Sequence, residues 1–244
     1  MSLDGSSVLV TGGTRGIGLA IAHRLVRDGA GRVVLGYMRN DTAAEAAAAE
    51  LGKAGVEVDL VRGNVASEST IAKLAAAGPY RVVVHNAATG VSRPALETTD
   101  KHWDWTVNAN ARSMLALTRA TAPMMEAGSA IVAISSLGSE RVLDNYILIG
   151  TSKAALESVM RYLAVELAPR GIRVNAVSAG VVDTEALEFF PNKEEMLATV
   201  DRTPAGRLVE PDDVAAAVSF LCSGDAAMVC GQTLVVDGGF SLPA

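Results

Sequence analysis

Short apolar runs alternate with longer amphipathic stretches along most of this chain. Runs rich in valine, isoleucine and leucine that stop at turn-forming residues predict β-strands, and apolar residues at helical spacing predict α-helices. The predicted strands lie at 6–13, 31–37, 56–65, 80–88, 129–136, 172–180 and 232–239, and the predicted helices at 18–30, 41–55, 66–78, 111–125 and 152–169. Asp41 is the candidate N-cap of the second helix.

This alternation predicts the fold class. Strands that alternate with helices form right-handed βαβ crossovers, which place the strands in a parallel sheet with helices on both faces. The chain has no linker rich in Pro, Gly or Ser and no internal repeat, so residues 1–244 are predicted to form one doubly wound α/β domain of the Rossmann type. In such sheets ligands bind beyond the carboxyl ends of the strands.

Composition and charge narrow the function classes. Half of the 244 residues are hydrophobic, which suffices for a substantial core, and the formal net charge is −6. An acidic chain has no basic field to gather phosphate backbones, so we do not expect nucleic acid as a partner. No apolar run has the roughly 18 to 20 residues that span a bilayer, and the N-terminus does not resemble a signal peptide. We therefore expect a cytoplasmic protein that does not associate with membranes.

The cysteines and histidines give no metal-site pattern. Cys222 and Cys230 form no CxxC pair and have no histidine at ligand spacing, and the histidines are scattered along the chain. We expect two ordinary thiols and no bound metal.

Glycines cluster between the first predicted strand and the first predicted helix. The segment VTGGTRGIGLA places Gly12, Gly16 and Gly18 where backbone N–H groups and the positive end of the helix can face a pyrophosphate. The spacing is GxxxGxG rather than the common GxGxxG, so the strand–turn–helix context carries this prediction.

The end of the second strand indicates which nucleotide binds. An acidic residue about 20 positions after the glycines normally holds the adenosine ribose of NAD. Here the stretch LGYMRND supplies Arg39 instead, and Arg39 with Arg15 can pair with a 2′-phosphate, which predicts NADP(H). Two points stay open: Arg39 could be a solvated loop residue, and Asp41 lies close to the position of the expected acid.

Several ordered motifs resemble those of the short-chain dehydrogenases/reductases. TGGTRGIG is similar to the glycine motif of that family, HNAA at 85–88 to its Asn-Asn-Ala-Gly motif, and NAVSAGVVDT to its nicotinamide-contacting segment. The resemblance extends to GQTLVVDGG at 231–239 and so covers nearly the whole chain. Ala88 and Ala179 replace a glycine and a proline of these motifs, and we expect both small residues to be tolerated.

The resemblance implies a set of cofactor contacts. Asn64 and Val65 would lie near the adenine, 86–88 along the ribose, and Val182 and Thr184 at the carboxamide. With the residues above, the predicted cofactor site consists of Gly12, Thr14, Arg15, Gly16, Ile17, Gly18, Arg39, Asn64, Val65, Asn86, Ala87, Ala88, Lys153, Val182 and Thr184.

Catalysis in this family uses Asn, Ser, Tyr and Lys. By position these are Asn110, with Asn108 as an alternative, then Ser136 and Lys153. The usual family tyrosine precedes the lysine by four residues, where this chain has an isoleucine that cannot donate a proton. Tyr146 precedes Lys153 by seven.

The spacing of this tyrosine predicts double-bond reduction. On an α-helix, residues four or seven positions apart lie on nearly the same face. A separation of seven residues puts the two Cα atoms roughly 10 Å apart along the axis, whereas the usual separation of four puts them roughly 6 Å apart. A ketoreductase delivers hydride and proton to one carbonyl group. In an enoyl thioester the hydride goes to the β-carbon while an acid stabilises the enolate oxygen, and a displaced hydroxyl suits that separation.

The stretch from 135 to 180 resembles the enoyl-acyl-carrier-protein reductases of the family, the type III bacterial form above all. This implies NADPH-dependent reduction of enoyl-ACP or enoyl-CoA in fatty-acid or related acyl biosynthesis. Tyr146 would be the proton donor or enolate stabiliser, and Lys153 would hold the nicotinamide ribose. Ser136 would be a supporting donor, and Asn110 would hold the helix bend and a water chain.

Two other functions stay open. Ser136 with a displaced tyrosine is compatible with a 3-ketoacyl or polyketide ketoreductase. The isoleucine at the usual tyrosine position motivates a non-catalytic NADP-binding protein.

The segment 184–206 follows the predicted nicotinamide contacts and predicts a substrate lid. It contains Phe189, Phe190, Pro191 and Met196, which could cover an acyl chain. A helical hairpin that packs these residues inward is the alternative.

The family resemblance implies a homotetramer built through helices around 103–125 and 153–169 and through the C-terminal strand. The acyl group and its carrier, a carrier protein or coenzyme A, are not set by the sequence.

Overall fold

The computed structural model describes residues 3–189 and 192–242. Its seven strands form a parallel sheet in the order β3-β2-β1-β4-β5-β6-β7. The strands are β1 (Ser7–Thr11), β2 (Arg32–Tyr37), β3 (Glu57–Arg62), β4 (Val82–His85), β5 (Ala130–Ser136), β6 (Arg173–Ala179) and β7 (Thr233–Val236). The order reverses between β1 and β4, so a doubly wound sheet of the Rossmann type is confirmed.

Helices cover both faces of this sheet. They are α1 (Gly16–Arg27), α2 (Asp41–Gly52), α3 (Glu68–Ala76), α4 (Asp100–Val107), α5 (Ser113–Thr121), α6 (Ile147–Leu167), α7 (Lys193–Leu197) and α8 (Pro211–Cys222). Alternate residues of the central strands belong to two apolar clusters, one with α1, α2 and α8 and the other with α3, α5 and α6. Strands buried on both faces explain the near-continuous apolar runs of the sequence.

Several details of the helices differ from the sequence prediction, among them the start of α6 at Ile147 rather than at position 152 and the short helix α7. Asp41 is the first residue of α2 rather than its cap, because the side chain of Asn40 accepts a hydrogen bond from the Ala43 N–H at 3.0 Å. Helix α8, which begins at Pro211 with a capping box between Glu210 and Asp213, was not predicted.

Another difference concerns the helix predicted at 111–125. Helix begins already at Asp100, and α4 passes into α5 through a π-helical turn, Asn108–Arg112. Such turns widen a helix locally and frequently occur at functional sites. The candidate residue Asn110 lies inside this turn.

The parallel sheet brings the predicted motifs to one edge. The glycine loop follows β1, the HNAA segment begins in the last residue of β4, Ser136 ends β5, and Val182 follows β6. Since carboxyl ends of parallel strands share an edge, these segments converge although they are far apart in sequence. None of the helices in the described part of the chain has the length and hydrophobicity of a membrane span. In the same residues, no three His, Cys, Asp or Glu side chains come together as metal ligands.

Candidate active site

The glycine loop forms a close turn between β1 and α1. Gly12 has a φ of +63°, which favours glycine. A Cβ atom on Gly18 would lie 2.1 Å from the Gly12 carbonyl oxygen, so only glycine lets the helix start so near the loop. Thr14 is buried, and the side chain of Ile17 packs into the core. The bare backbone of this turn is left to face a ligand at the positive end of α1.

Asn86 joins the ends of β1 and β4. Its Nδ2 donates to the carbonyl oxygens of Thr11 and Gly12, each at 3.0 Å. The N–H groups of Asn86 and Ala87 both donate to the Thr11 hydroxyl, at 3.1 Å each. The side chain of Asn86 therefore shapes the floor of the site, and Ala88, which is exposed, lies further along the same segment.

Charged residues at the end of β2 form a basic edge. Arg39 is exposed and makes no ion pair or side-chain hydrogen bond with any described residue. Asp41, the acid that left NAD(H) possible, accepts hydrogen bonds from Tyr37 at 2.8 Å and from Arg62 at 3.0 Å. The carboxylate is thus engaged within the protein, whereas the Arg39 guanidinium is available to an anion.

Arg15 has a partner that the sequence did not predict. Its Nη1 lies 3.0 Å from Glu185 Oε2, and both side chains are largely exposed. Thr184 lies against Gly16, since a Cβ atom on Gly16 would be 3.5 Å from Thr184 Cγ2. The start of the predicted lid is therefore in contact with the glycine loop. Phe190 and Pro191 of that lid lie outside the described residues.

The remaining predicted cofactor residues lie at neighbouring strand ends. Asn64 follows β3, and its Oδ1 accepts from the Ala66 N–H at 3.0 Å. Val65 is half-buried and packs against the second cluster. Val182 is buried and forms an isolated parallel bridge with Val209. All three lie at the carboxyl edge of the sheet.

Tyr146 and Ser136 come together at the end of β5. The Tyr146 hydroxyl lies 3.3 Å from Ser136 Oγ, which also accepts a hydrogen bond from the Gly138 N–H at 3.2 Å. Burial raises the pKa of Tyr146, and the hydrogen bond to Ser136 opposes this only in part. The phenol is therefore neutral at neutral pH and has a proton to donate.

The sequence analysis placed Tyr146 on the same helix as Lys153. In the structure Tyr146 lies just before that helix. It is the N-cap residue of α6, with φ −108° and ψ 9°. Ile149, at the usual position of the family tyrosine, is buried, and its Cγ1 would lie 2.2 Å from a Cβ atom on Gly90. The isoleucine is thus packed against the segment after β4, and the hydroxyl comes from the residue that precedes the helix.

Lys153 lies in the second turn of α6 and is buried. Its Nζ donates to the Ile134 carbonyl oxygen at 2.7 Å. Burial lowers the pKa of Lys153 to about 8, and the charge of Glu157 opposes that shift. Glu157 is itself buried and accepts a hydrogen bond from the Ser135 hydroxyl. Lys153 therefore remains mostly protonated at pH 7.

Asn110 is fully buried in the π-helical turn and uses both ends of its amide. Its Oδ1 accepts from the Thr89 N–H at 2.9 Å, and its Nδ2 donates to the Thr89 carbonyl oxygen and to Ser152 Oγ, both at 2.8 Å. The side chain thus links the segment after β4 to the residue before Lys153.

Two buried polar residues beside the lysine were missed. Glu157 lies four positions after Lys153, a helical spacing that brings opposite charges together and could have identified it. His85 lies at the end of β4, with Nε2 2.7 Å from Ser113 Oγ. Burial first, then the charge of Lys153, lowers the pKa of His85 to about 3, so the imidazole is neutral. No sequence pattern indicated this environment.

A nucleotide-binding sheet with a Ser–Tyr pair and a buried lysine defines an oxidoreductase of the Rossmann class. Residues 12–241 match a family model described as enoyl-(acyl carrier protein) reductase. The chain belongs to the short-chain dehydrogenase/reductase family, and it is an oxidoreductase of that family.

Individual relatives have different names. The chain is 38% identical to 1-cyclohexenylcarbonyl-CoA reductase of Streptomyces collinus, covering 97% of this chain and 87% of that protein. It is 34% identical to D-erythrulose reductase of Gallus gallus, covering 98% and 97%.

Among solved structures, a short-chain dehydrogenase from Burkholderia cenocepacia J2315 in complex with NADP is similar. It has a TM-score of 0.91 and 32% identity, covering 98% of this chain and 99% of that one. The cofactor of that complex agrees with the NADP(H) prediction.

Proposed function

We propose that this protein reduces the carbon–carbon double bond of enoyl thioesters with NADPH, in fatty-acid or related acyl biosynthesis. The observation that carries the proposal is the Tyr146 hydroxyl 3.3 Å from Ser136, with Ile149 buried at the usual tyrosine position. The family model's description supports it. So does the Streptomyces relative, whose name specifies a thioester with a double bond next to the carbonyl.

The cofactor site would be formed at the carboxyl edge of the sheet. Bound NADPH supplies the hydride for the β-carbon. The glycine loop would face its pyrophosphate, and the available guanidinium of Arg39 would pair with the 2′-phosphate. Arg15 and Glu185 form an exposed ion pair, and such pairs contribute little to stability. Arg15 can therefore leave the Glu185 carboxylate and bind the same 2′-phosphate.

The other contacts are proposed on position. Thr14, Gly16 and Ile17 would offer backbone groups of the turn, Asn64 and Val65 would flank the adenine, and Ala87 and Ala88 would line the ribose. Val182 and Thr184 would face the carboxamide. Lys153 would hold the ribose hydroxyls once its ammonium group leaves the Ile134 carbonyl oxygen.

Tyr146 would act on the thioester oxygen. As the β-carbon is reduced, negative charge develops on that oxygen, and a neutral phenol can donate a hydrogen bond or its proton to it. Ser136 would donate a second hydrogen bond from the adjacent position. The positive charge of Lys153 would stabilise the ionised tyrosine. The enol then returns its oxygen-bound proton to that tyrosine while the α-carbon takes a proton from solvent, so one hydride and one solvent proton give the saturated thioester.

Asn110 would have a structural part in this site. Its three hydrogen bonds fix the segment after β4 and the α6 residue before Lys153. It would hold the helix bend, and we propose that the water chain implied by the family resemblance runs along this turn.

The segment 184–206 is proposed as the substrate lid. Its contact with the glycine loop, through Thr184 and Glu185, would couple lid position to cofactor binding. The acyl group would arrive on acyl carrier protein or coenzyme A.

Assembly as a homotetramer is proposed from exposed apolar side chains on α6 and β7, Val165 and Val235 among them. Elution as a monomer in size-exclusion chromatography would contradict that assembly. A cytoplasmic location of the protein stays a prediction.

Replacement of Tyr146 by phenylalanine tests the proposal. Tyr146→Phe keeps the ring and removes the donor, so kcat with crotonyl-CoA should fall by about 100- to 10,000-fold. NADPH binding, followed by fluorescence titration, should be retained. Tyr162→Phe is the matched control, because Tyr162 lies exposed on α6. Full activity in Tyr146→Phe would remove the proposal.

Ketone reduction is the second candidate. Two hydroxyl groups as close as those of Ser136 and Tyr146 could bind one carbonyl oxygen, and a relative is named for the reduction of a keto sugar. Turnover of acetoacetyl-CoA without turnover of crotonyl-CoA would select this candidate. Tight NADPH binding without turnover of either thioester would instead indicate a non-catalytic NADP-binding protein.

A further inference from the structure

Two glycines lie beside the ring of Tyr146. A Cβ atom on Gly138 would lie 2.6 Å from both Cδ1 and Cε1 of the Tyr146 ring. Real Cβ atoms do not approach a ring carbon so closely, because van der Waals contact between carbons begins at about 3.5 Å. The ring therefore rests directly on the backbone of Gly138.

Gly150 lies against Gly138, near the same edge of the ring. A Cβ atom on Gly150 would lie 2.5 Å from the Gly138 carbonyl oxygen and 3.7 Å from Tyr146 Cδ1. The Gly150 N–H also donates to the Tyr146 carbonyl oxygen at 2.7 Å. The first turn of α6 can thus lie against the turn after β5 only if position 150 carries no side chain. We call the surface formed by Gly138 and Gly150 the glycine slot.

The glycine slot is bonded to the site through its backbone. The Gly138 N–H donates to Ser136 Oγ at 3.2 Å, and the same Oγ lies 3.3 Å from the Tyr146 hydroxyl. Gly138 therefore leaves room for the tyrosine ring through its missing side chain and orients the serine with its N–H. Both hydroxyl groups depend on the position of this one residue.

Tyr146 needs such a support because the helix does not position it. As the N-cap residue it lacks helical dihedral angles, and it follows Asn145, whose φ is +57°. The Asn145 carbonyl oxygen accepts from the Arg93 N–H at 2.8 Å, which fixes the backbone before the tyrosine.

We propose that Gly138 and Gly150 are positioning residues, whose missing side chains hold the Tyr146 hydroxyl beside Ser136 for thioester reduction. This inference rests on the proposed function for its kinetic consequence, but the ring contact itself does not. It also gives a reason for the shifted tyrosine: the glycine slot receives a ring from position 146, while Ile149 packs on Gly90.

Alanine at each glycine tests the inference. In Gly138→Ala the ring and its hydroxyl must move, because the new Cβ atom would lie 2.6 Å from the ring. In Gly150→Ala the Gly138 carbonyl oxygen must move, and Gly138 with it, which shifts the ring indirectly. A displacement of about 1 Å can lower kcat by about 100-fold. The KM for NADPH should change by less than about twofold, since the glycine loop and Arg39 are untouched. Gly52→Ala is the matched control, because its Cβ atom would have no atom within 4 Å.

Two double variants separate positioning from general damage. In a Tyr146→Phe background, Gly138→Ala should lower kcat by a much smaller factor than in the unmodified protein, because the Tyr146 hydroxyl is gone and only the orientation of Ser136 is left to disturb. In a Tyr146→Ala background, Gly138→Ala should lower the melting temperature much less than it does in the unmodified protein, because the ring that it displaces is absent.

The outcomes distinguish the two proposals. If the protein reduces neither crotonyl-CoA nor acetoacetyl-CoA, the proposed function fails, and the melting temperatures still test the contact. If Gly138→Ala keeps the original kcat, or if its loss of melting temperature is the same with and without the Tyr146 ring, the glycine slot is overturned.

Discussion

The Tyr146 hydroxyl and Arg39 illustrate how single residues depend on their surroundings here. Burial raises the pKa of Tyr146 above its ordinary value of 10.0, so the phenol keeps its proton well into the alkaline range, and it faces Ser136 because of the turn after β5. Arg39 is available because no carboxylate of the described chain binds it, while Asp41 is engaged by Tyr37 and Arg62. The sequence identified these residue types, but only the fold shows which charge is free.

Arg39 should determine the choice of cofactor. Loss of a hydrogen bond to a charged group costs about 1.5 to 3 kcal/mol, so Arg39→Ala should raise the KM for NADPH by about 10- to 150-fold. The KM for NADH, which has no 2′-phosphate, should hardly change. Arg119→Ala, at an exposed arginine on α5, is the control. An equal effect on both cofactors would contradict this role.

Lys153 should make stability depend on pH in the alkaline range. Its folded pKa, about 8, lies below its ordinary value of 10.5, so the unfolded chain binds more protons between these values. Buried charge on Lys153 therefore destabilises the fold below pH 8, and the penalty disappears as pH rises to 10.5.

Urea unfolding of the wild type and Lys153→Met measures this effect. As pH rises from the folded to the unfolded pKa, the free energy of unfolding of the wild type should increase by about 3 kcal/mol relative to that of the variant. A constant difference across that range would contradict the lowered pKa.

At the scale of elements, most strands and helices could be predicted because each carries its own apolar period. The first strand lies at 6–13 in the prediction and at Ser7–Thr11 in the structure. What could not be predicted depends on contacts between elements. The π-helical turn is bound through Asn110 to Thr89, 21 positions away, and the start of α6 after Tyr146 depends on the glycine slot.

The π-helical turn should depend on Asn110 rather than on Asn108. Asn110→Ala leaves the N–H of Thr89 and its carbonyl oxygen without partners, and each buried unsatisfied group costs about 1 to 3 kcal/mol. Asn108 lies in the same turn and is half-buried, so Asn108→Ala should cost much less. Equal losses in urea unfolding would mean that the hydrogen bonds of Asn110 do not hold the turn.

At the scale of the whole molecule, one sheet edge collects residues from distant parts of the chain. The family motifs allowed their convergence to be predicted, since parallel strands end on one side. The contact of Arg15 with Glu185, across 170 positions, could not be predicted, because nothing local in the sequence pairs them. It joins the cofactor loop to the proposed lid, so cofactor and substrate sites are expected to respond to each other.

The most direct test of the account follows NADPH absorbance with purified protein and crotonyl-CoA or acetoacetyl-CoA in parallel reactions, and identifies each product by mass. We predict NADPH oxidation with crotonyl-CoA, formation of butyryl-CoA, and no comparable turnover of acetoacetyl-CoA. Oxidation with acetoacetyl-CoA alone, to give the hydroxy thioester, would contradict double-bond reduction and would make this protein a ketoreductase.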